Sequence, residues 1–472
     1  MGGEKIKDAV ILAAGRGTRL WPYGDTHAKA ALPVGNKPLV HYQLNALAAA
    51  GVESVAVVTG FLEGMVRAAC AGWIATHGDT LDISFVSVPN SKGTAHSALA
   101  GLSVRTNPES AAYVLPGDLY LSEEDFLSLA SQVPKGKVAA LVTPVEKATV
   151  QEGFRADLRE GKVQSLRAHP RDCEEGSRRF TGVVAVPSDF RKFLEATPEI
   201  PTCVEIGSMP PAEPDLAESV HQFLRAGGEV VAVEAGEEVV DINKPWDFLA
   251  ANMLSAKRQT DALAETILEE GATIDSTAHL RGNVKLGKNS RIGPGVFIYG
   301  NVIVGDNTEI VDGAFVEGQA IVGDDCKLWR GCLVGKQSVI GHRCHVGHGA
   351  EFEGLMMDES YSYHYGEYWG ILGRCSDLGA ATVCGTLRFD DGETVHRVKG
   401  RKETPRYNAN ASYLGDYVRT GVNAILMPGV KVGPYSLVGA GVLLSRDVPN
   451  NTSIYVEQSL KEGRWGPERY GW

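Results

Sequence analysis

The stretch LGKNSRIGPGVFIYGNVIVGDNTEI, residues 286–310, decides the fold of the C-terminal half. A large aliphatic residue returns in it every six positions, at Leu286, Ile292, Ile298, Val304 and Ile310. A period of six fits neither an α-helix nor the plain alternation of a strand. It is typical of a solenoid in which three hexapeptides form one triangular coil and the large residues point inward. The stretch therefore predicts a left-handed parallel β-helix.

The same register extends in both directions from this stretch. Fourteen positions spaced by six carry a large residue between Ile274 and Phe352. The register is then lost twice, over residues 358–371 and 390–413. We expect these two segments to be insertions, which in repeat proteins form loops and often mark the binding face.

Cysteines and histidines recur within the repeat. The small position of the hexapeptide is cysteine three times, at Cys326, Cys332 and Cys344. We expect these thiols to stack in the core as small apolar residues. Histidines at 342, 345 and 348 resemble a metal-binding cluster. Consecutive hexapeptides lie on different faces of the triangle, so a metal site there is the less favoured alternative.

Composition and charge limit the class of protein. A chain of 472 residues is expected to hold two or three domains. Its net charge of −12 argues against a nucleic-acid binder, which usually carries a basic face. We find no signal-peptide pattern, no membrane span and no CxxC pair among the eight cysteines. A reduced, cytoplasmic protein is expected.

The N-terminal half alternates strand and helix patterns. Apolar or β-branched runs at residues 9–13, 54–58 and 111–115 predict buried strands, and helical stretches such as 38–50 separate them. This alternation predicts a Rossmann-like α/β domain with a mixed, mostly parallel sheet. Ligands of such sheets bind at the carboxyl ends of the strands, so the loops after the strands are candidate sites.

The loop after the first strand reads AAGRGTRLWP over residues 13–22. It lacks the Gly-Lys-Ser/Thr of a Walker loop, and Leu20 occupies the third glycine position of the dinucleotide fingerprint. Backbone N–H groups near Gly15 and Gly17, together with Arg19, can still hold triphosphate oxygens. The alternative is a tight turn with solvated arginines.

Carboxylates follow two buried strands at widely separated places. Asp118 ends the stretch LPGD, and Asp241 lies in VVDIN. Together they could hold a Mg²⁺ ion that bridges phosphates, although either alone is more simply a helix cap or turn residue. Lys29 adds a cation, and the sequence GTA at 93–95 opens a helix whose first N–H groups are free for a ligand.

In this order, the motifs resemble those of the sugar-1-phosphate nucleotidylyltransferases. The resemblance implies that a sugar-1-phosphate oxygen attacks the α-phosphorus of an NTP and releases pyrophosphate, with Mg²⁺ as cofactor. It implies catalytic roles for Arg19 and Lys29, metal binding by Asp118 and Asp241, and substrate binding by Gly182. The nucleotide-binding residues that it implies are Leu12, Ala13, Ala14, Gly15, Gly17, Thr18, Gly93, Thr94 and Gly117.

Other positions depart from that family's pattern. The base-reading glutamine is replaced by Val88, the sugar-binding glutamate by Ala168, and the asparagine before Thr-Gly by Phe180. The residues that would bind phosphate and metal match the family pattern, whereas the residues that would recognise the base and the sugar differ from it. A UDP-GlcNAc-type product is favoured, and the alternative is a non-catalytic or regulatory relative that binds nucleotide sugars.

Both halves together resemble the archaeal-type bifunctional N-acetylglucosamine-1-phosphate uridylyltransferase/glucosamine-1-phosphate acetyltransferases. The motifs LRFD at 387–390 and GDYVRTG at 415–421 carry this resemblance. It implies acetyl transfer from acetyl-CoA on the β-helix and a homotrimer or a multiple of three. The rival interpretation is a solenoid that serves only to trimerise the chain.

The resemblance also implies a histidine base on the first interrupted segment. His364 is the candidate catalytic base, with Tyr368 nearby. An ungapped match places Tyr363 at that position instead, and Thr386 replaces the family's asparagine.

Four segments are therefore expected. They are a nucleotidylyltransferase domain over 1–255, a linker helix over 256–270, a β-helix domain over 271–450 and a C-terminal tail over 451–472.

Overall fold

The computed structural model describes residues 5–105, 107, 109–145, 153–168, 176–201 and 212–467. An α/β domain forms the N-terminal half and a β solenoid the C-terminal half. Two clusters of buried apolar side chains lie on the two sides of the N-terminal sheet, and a third fills the solenoid. A fourth cluster lies between the two halves, so the two domains share an apolar contact.

In the part of the chain that the structure describes, nine strands form the N-terminal sheet. They are β1 (Asp8–Ala13), β2 (Ser54–Thr59), β3 (Asp82–Ser87), β4 (Ala112–Pro116), β5 (Val138–Pro144), β6 (Phe154–Arg159), β7 (Lys162–Ala168), β8 (Arg178–Val186) and β9 (Val230–Glu234). Their order is β3-β2-β1-β4-β8-β5-β9-β7-β6. Strands β1 to β4 pair in parallel, whereas β8 runs antiparallel to both β4 and β5. The predicted Rossmann-like α/β domain is confirmed.

Parallel pairing joins the strands β1 to β4 and also pairs β5 with β9, whereas the other pairings of the sheet are antiparallel, so the sheet is mixed rather than mostly parallel. Strands β6 and β7 form an antiparallel hairpin in which Arg159 pairs with Lys162. The two residues between them, Glu160 and Gly161, both have positive φ angles, of 51° and 73°. Such a two-residue turn matches the twist of a hairpin and makes the pairing antiparallel.

Among the described residues, seven α-helices cover the sheet and link the domains. They are α1 (Leu39–Ala49), α2 (Glu63–His77), α3 (Thr94–Leu102), α4 (Glu123–Ser131), α5 (Arg191–Glu195), α6 (Leu216–Arg225) and α7 (Pro245–Asp261). Side chains of α1, α2 and α4 join one cluster of the sheet, and those of α3, α5 and α6 join the other.

The helix between the domains differs from the prediction over 256–270. It begins at Pro245, where the fixed φ of proline suits the first helical turn, and it ends at Asp261. The first strand of the solenoid, Ile267–Leu268, already lies inside the predicted linker. Helix α7 therefore belongs largely to the N-terminal domain and also packs on the solenoid.

The solenoid strands form three faces, which we call A, B and C. Face A contains Ile267–Leu268, Val284–Leu286, Val302–Val304, Ala320–Val322, Val339–Ile340, Ser412–Leu414 and Lys431–Val432. Face B contains Thr273–Ile274, Arg291–Ile292, Glu309–Ile310, Lys327–Leu328, His345–Val346, Tyr361–Ser362, Asp377–Leu378, Arg419–Thr420, Leu437–Val438 and Ser453–Ile454. Face C contains His279–Leu280, Phe297–Ile298, Phe315–Val316, Leu333–Val334, Val383–Cys384, Ile425–Leu426 and Leu443–Leu444. Two longer strands, Glu351–Met356 and Glu367–Leu372, belong to both C and A.

Every pairing between coils is parallel, as the six-residue period predicts. Leu286 pairs with Val304 and Val304 with Val322, one coil of eighteen residues apart. Cys326 and Cys344 are buried in neighbouring coils, and the Cys344 N–H lies 3.4 Å from the Cys326 Sγ. These long parallel sheets fit a β-helix, and its hand stays a prediction.

Residues 358–371 form a coil and not the predicted insertion. Tyr361 pairs with His345, only sixteen residues earlier. The coil is shorter because Glu351–Met356 and Glu367–Leu372 run straight through one corner, where regular coils turn. The register was missed because Ser362 fills an inward position that is aliphatic in most other coils.

Of the predicted insertion 390–413, the part before Ser412 leaves the solenoid between the strand Val383–Cys384 of face C and the strand Ser412–Leu414 of face A. Within it, His396–Val398 and Arg401–Glu403 form an antiparallel hairpin. The turn between the strands consists of Lys399 and Gly400, with φ angles of 47° and 82°. We call this segment the arm.

Face A is apolar on its outer side as well as its inner side. Its outward residues in the middle coils are buried: Ile321, Val339, Leu355, Ile371 and Tyr413. They pack against side chains of the N-terminal domain, Leu20 and Phe248 among them. Lys285 and Lys431 occupy the same outward position in an earlier and a later coil. The apolar strip therefore marks where the first domain docks.

Candidate functional site

A cleft of about 1470 Å³ opens at the carboxyl ends of β1 to β4. Clefts that bind small ligands are typically several hundred Å³, so this one has room for two substrates. Its lining includes every residue predicted for the nucleotide, the sugar phosphate and the metal: Leu12, Ala13, Ala14, Gly15, Gly17, Thr18, Arg19, Lys29, Gly93, Thr94, Gly117, Asp118, Gly182 and Asp241. The fold thus brings these positions together, and their roles stay predictions.

Glycines let the backbone come close at the floor of the cleft. Gly17 has a φ of 64°, and a Cβ there would lie 3.2 Å from the side chain of Lys29. A Cβ on Gly117 would lie 2.7 Å from the carbonyl oxygen of Leu12, to which the Gly117 N–H donates a hydrogen bond. Larger residues would push Lys29 and Asp118 out of place.

A hydrogen-bonded network of cations and acceptors lies in the cleft. Lys29 Nζ donates to Asp118 Oδ2 and to Asn243 Oδ1, each at 2.8 Å. Arg19 also donates to Asn243 Oδ1, at 2.9 Å. Asn243 was missed from the sequence, although it follows Asp241 by two residues in VVDIN. It orients both cations toward the same point.

The two candidate metal ligands lie on paired strands. Leu119–Tyr120 and Val240–Asp241 run antiparallel, which places Asp241 beside Asp118. Burial raises the pKa of Asp241, the negative charge of Asp118 raises it further, and Lys29 offsets part of this. Two adjacent carboxylates repel each other when both are negatively charged. Their oxygens form a set of ligands that fits a divalent cation.

The positions that depart from the family pattern lie in different places. Phe180 lines the cleft, beside Gly182 and Arg179. Neither Val88 nor Ala168 is part of the lining; beyond Ala168, His169 and Pro170 lie outside the described residues. After Val88, the next three residues do reach the cleft: Pro89, Asn90 and Ser91.

The loop that carries the glycines is fastened to the solenoid. Trp21 Nε1 donates to Asn450 Oδ1 at 2.7 Å, and the Tyr23 hydroxyl donates to the carbonyl of Ile371. His27 Nε2 lies 2.7 Å from Asp416 Oδ2, and both side chains are almost fully buried. Burial favours a raised pKa for Asp416, but the hydrogen bond from His27, its charge and the hydrogen bond from the Arg374 N–H together outweigh burial, so this pKa is lowered.

The arm forms one wall of the same cleft. Lys399, Glu403, Arg406 and Tyr407 all line it, although they belong to the solenoid half of the chain. Lys244 Nζ, just before α7, lies 2.5 Å from Glu403 Oε2. One cleft is therefore built from both domains.

The remaining candidate, His364, lies outside the cleft, at the corner between faces B and C. Its ring centroid lies 4.3 Å from that of His348 in the neighbouring coil. His348 Nε2 is in turn 2.7 Å from the Tyr365 hydroxyl. The Nδ1 atom of His364 is buried and has no hydrogen-bond partner among the described residues.

Tyr368 is not available as a partner of His364. Its side chain is inside the solenoid, where its ring stacks on Phe352 with centroids 5.5 Å apart. Its hydroxyl donates to the carbonyl of Ile371 at 2.7 Å. Although Tyr368 is only four residues from His364 in the sequence, its side chain fills an inward position of the repeat. Tyr363 and Tyr365, by contrast, are exposed at the corner.

The histidines at 342, 345 and 348 do not come together. The described residues contain no group of three histidine, cysteine or acidic side chains arranged to hold a metal ion. His342 instead pairs with Asp324, while His345 lies on face B and His348 at the corner. None of the described helices is long and apolar enough to cross a membrane.

Comparisons with known proteins cover both domains. The family model described as "MobA-like NTP transferase domain" matches residues 9–185, and the "GMPPB C-terminal domain" matches residues 262–357. Among solved structures, a UDP-glucose pyrophosphorylase complexed with UDP-glucose is 19% identical, with a TM-score of 0.46. It covers 54% of this chain and 99% of its own.

Curated relatives span nearly the whole chain. Two proteins named "Bifunctional protein GlmU", both from Methanococcus maripaludis strains, are 30% and 26% identical over 458 residues, 96% of this chain and 98% of theirs. A "Bifunctional sugar-1-phosphate nucleotidylyltransferase/acetyltransferase" from Sulfurisphaera tokodaii is 24% identical and covers 93% of this chain and 98% of its own. The chain belongs to the family of the bifunctional GlmU proteins.

Proposed function

We propose that the N-terminal domain is a Mg²⁺-dependent sugar-1-phosphate nucleotidylyltransferase. The observation that carries the proposal is the network of Arg19, Lys29 and Asn243 beside the paired carboxylates Asp118 and Asp241. Phosphoryl and nucleotidyl transfer need positioning and charge neutralisation more than a covalent nucleophile. This cleft offers cations, carboxylates and backbone N–H groups for that task.

In the proposed reaction, a phosphate oxygen of the sugar-1-phosphate forms a bond to the α-phosphorus of the NTP. The bond from the α-phosphorus to its bridging oxygen breaks, and pyrophosphate leaves with that electron pair. Asp118 and Asp241 would hold the Mg²⁺ ion, which neutralises phosphate charge when bound. Lys29 and Arg19 lie where they can neutralise the remaining charge on the transferred group.

The test is a screen for pyrophosphate release with Mg²⁺. Each common NTP is paired with several sugar-1-phosphates, beginning with UTP and N-acetylglucosamine-1-phosphate, because the family resemblance favours a UDP-GlcNAc-type product. We expect release with at least one pair and loss of release in Asp241→Asn. Binding of nucleotide sugars without release by any pair would contradict the proposal and favour a regulatory relative.

A second activity, acetyl transfer, is favoured by the corner that holds His364. The His364 ring lies against His348 and beside the exposed rings of Tyr363 and Tyr365. We propose that His364 accepts a proton from the amine of a sugar phosphate while the nitrogen attacks the thioester carbon of acetyl-CoA. The CoA thiolate leaves as the amide forms. Thiol release on mixing acetyl-CoA with glucosamine-1-phosphate tests this activity, and absence of release would leave the solenoid structural.

A homotrimer is proposed on the evidence of face C. Ile425 and Leu443 are paired in neighbouring coils and remain exposed on its outer side, at 42% and 60%, and Phe315 is exposed at 37% farther along the same face. Contiguous exposed apolar side chains commonly mark contact surfaces between subunits. Light scattering should give three times the chain mass for the wild type and a smaller particle for Ile425→Glu. A wild-type monomer would contradict the proposal.

A further inference from the structure

The arm is an unusual wall for a nucleotide cleft, because it comes from the other domain. Its hairpin follows the strands of the solenoid in sequence but reaches the N-terminal domain beside the first turn of α7. Arg406 and Tyr407, just after the hairpin, line the cleft together with Asn243 and Trp246. The candidate phosphate and metal residues thus have solenoid side chains as neighbours.

The arm is firmly docked in this position. Lys244 is buried and forms an ion pair with Glu403 at 2.5 Å. The ring of His396 lies 4.9 Å from that of Trp246, and Val398 is 8% exposed within the apolar cluster shared by the domains. Because these contacts fix both strands of the hairpin, the residues that follow it are held in place.

The side chains that the arm presents to the cleft suit an anionic sugar. Arg406 and Lys399 are cations in a protein whose net charge is −12. The Arg406 guanidinium carbon lies 4.3 Å from the ring centroid of Tyr407, a contact that orients the guanidinium. A guanidinium binds phosphate oxygens in pairs, and an aromatic ring such as that of Tyr407 can lie against a sugar.

The sheet order separates two halves of the cleft. Loops after β1, β2 and β3 contribute Gly15, Phe61 and Ser91 on one side, where the nucleotide elements lie. The arm lies on the other side of the paired carboxylates, next to the residues that follow Asp241. In that half, Phe180 leaves a family sugar-binding position without a polar group.

We propose that the arm completes the acceptor half of the cleft: Arg406 binds the phosphate of the sugar-1-phosphate, and Tyr407 contacts its sugar ring. The proposal rests on the proposed nucleotidylyltransferase function. The solenoid then contributes to the specificity of a reaction that is carried out by the other domain.

The experiment measures binding and turnover separately. The full chain is titrated with N-acetylglucosamine-1-phosphate in the presence of Mg²⁺ and a non-hydrolysable UTP analogue, and pyrophosphate release is followed in parallel. The variants are Arg406→Ala, Arg406→Lys and Tyr407→Ala. Arg397→Ala is the matched control, because Arg397 is exposed on the same hairpin and does not line the cleft.

We expect Arg406→Ala to weaken binding of the sugar phosphate by about 10- to 100-fold, as for loss of a charge-assisted pair. Its KM for the sugar phosphate should rise by a similar factor, while affinity for the nucleotide changes less than about twofold. Arg406→Lys should recover part of the loss, and Tyr407→Ala should cost less than Arg406→Ala. Arg397→Ala should behave as the wild type.

Two results would overturn the proposal: sugar phosphate binding in Arg406→Ala within twofold of the wild type, or an equal loss of nucleotide affinity. Failure to bind sugar phosphate by the wild type would overturn it too. If the wild type binds both ligands but releases no pyrophosphate, the proposed function fails, and the binding comparison still decides the role of Arg406.

Discussion

The cleft of the N-terminal domain and the corner around His364 are built in opposite ways. The cleft gathers residues that lie far apart in the chain, from Gly15 to Arg406. The corner gathers residues from neighbouring coils only: His348 and His364 are sixteen positions apart. A mixed sheet can bring distant loops to one edge, whereas a solenoid brings each residue only to its neighbours one coil away.

This difference has a chemical consequence. The cleft contains cations, carboxylates and a polar network within one chain. The His364 corner presents imidazole and tyrosine side chains and an unpartnered nitrogen. We propose charge neutralisation for the first region and proton transfer for the second, so substitutions should separate the two activities cleanly.

The sharpest separation is expected from Lys29→Ala. Removing the ammonium leaves Asp118 and Asn243 without a shared donor and removes a charge from the transfer site. We expect pyrophosphate release to fall by about 1000-fold, with acetyl transfer unchanged. Lys7→Ala is the control, because Lys7 forms an exposed ion pair with Glu53. Equal loss in both variants would mean that Lys29 acts only on stability.

The reverse separation is expected from His364→Ala. Loss of a general base should lower the rate of thiol release from acetyl-CoA by about 100-fold. Pyrophosphate release should keep its wild-type rate. His279→Ala is a suitable control, because His279 is exposed on face C and stacks on Phe297. Unchanged thiol release in His364→Ala would assign the base to another residue.

The contact between the two domains can also be weakened. Asp416→Asn removes the charge that faces buried His27 and keeps the side-chain shape. We expect the free energy of unfolding to fall by about 2 kcal/mol, as for a damaged buried pair. Asp312→Asn is the control, since Asp312 forms an exposed pair with Arg330. Thermal unfolding measures both, and identical midpoints would show that the His27 contact contributes little.

The smallest effect concerns pH and the docking of the arm. Burial, and then the charge of Lys431, lower the pKa of His396 from 6.5 to about 4. Below pH 6.5 the unfolded chain therefore binds the proton more readily than the folded one, and stability falls as pH falls towards 4. Between pH 7.5 and 5.5 the loss is about 1 kcal/mol.

The ring of His396 contacts the ammonium group of Lys431 and a backbone carbonyl. Lys431 Nζ lies 3.0 Å from its Nδ1, its Nε2 donates to the carbonyl of Ala409, and Asp447 pairs with Lys431. His396→Gln should flatten the pH dependence of the unfolding midpoint, because the titrating ring is gone. An equal pH dependence in the variant and the wild type would assign the effect to other groups.

Local sequence patterns predicted much of the fold. The six-residue period gave the parallel coils because each inward residue is fixed by its own hexapeptide. The period did not predict the coil at residues 358–371. There the long strands run straight through one corner of the solenoid, and Ser362 and Tyr368 fill inward positions. Nothing in the period itself distinguishes a shortened coil from an insertion.

The candidate site was predictable in part. The motifs named fourteen positions that the fold places in one cleft, because most of them lie at or just after the end of a strand or open a helix. Asn243 was missed because its role depends on where Arg19 and Lys29 point. Arg406 was missed because the arm meets α7 through an ion pair between residues 244 and 403, which no local pattern predicts.

The apolar outer side of face A sets a limit on how the two halves can be separated. A cut between α7 and Ile267 would leave Ile321, Val339 and Leu355 facing water. Freed solenoids would be expected to aggregate through that strip. The N-terminal half would lose the support of its glycine loop at the same time. The two halves of the gene are therefore expected to be inherited together, although each encodes a recognisable domain.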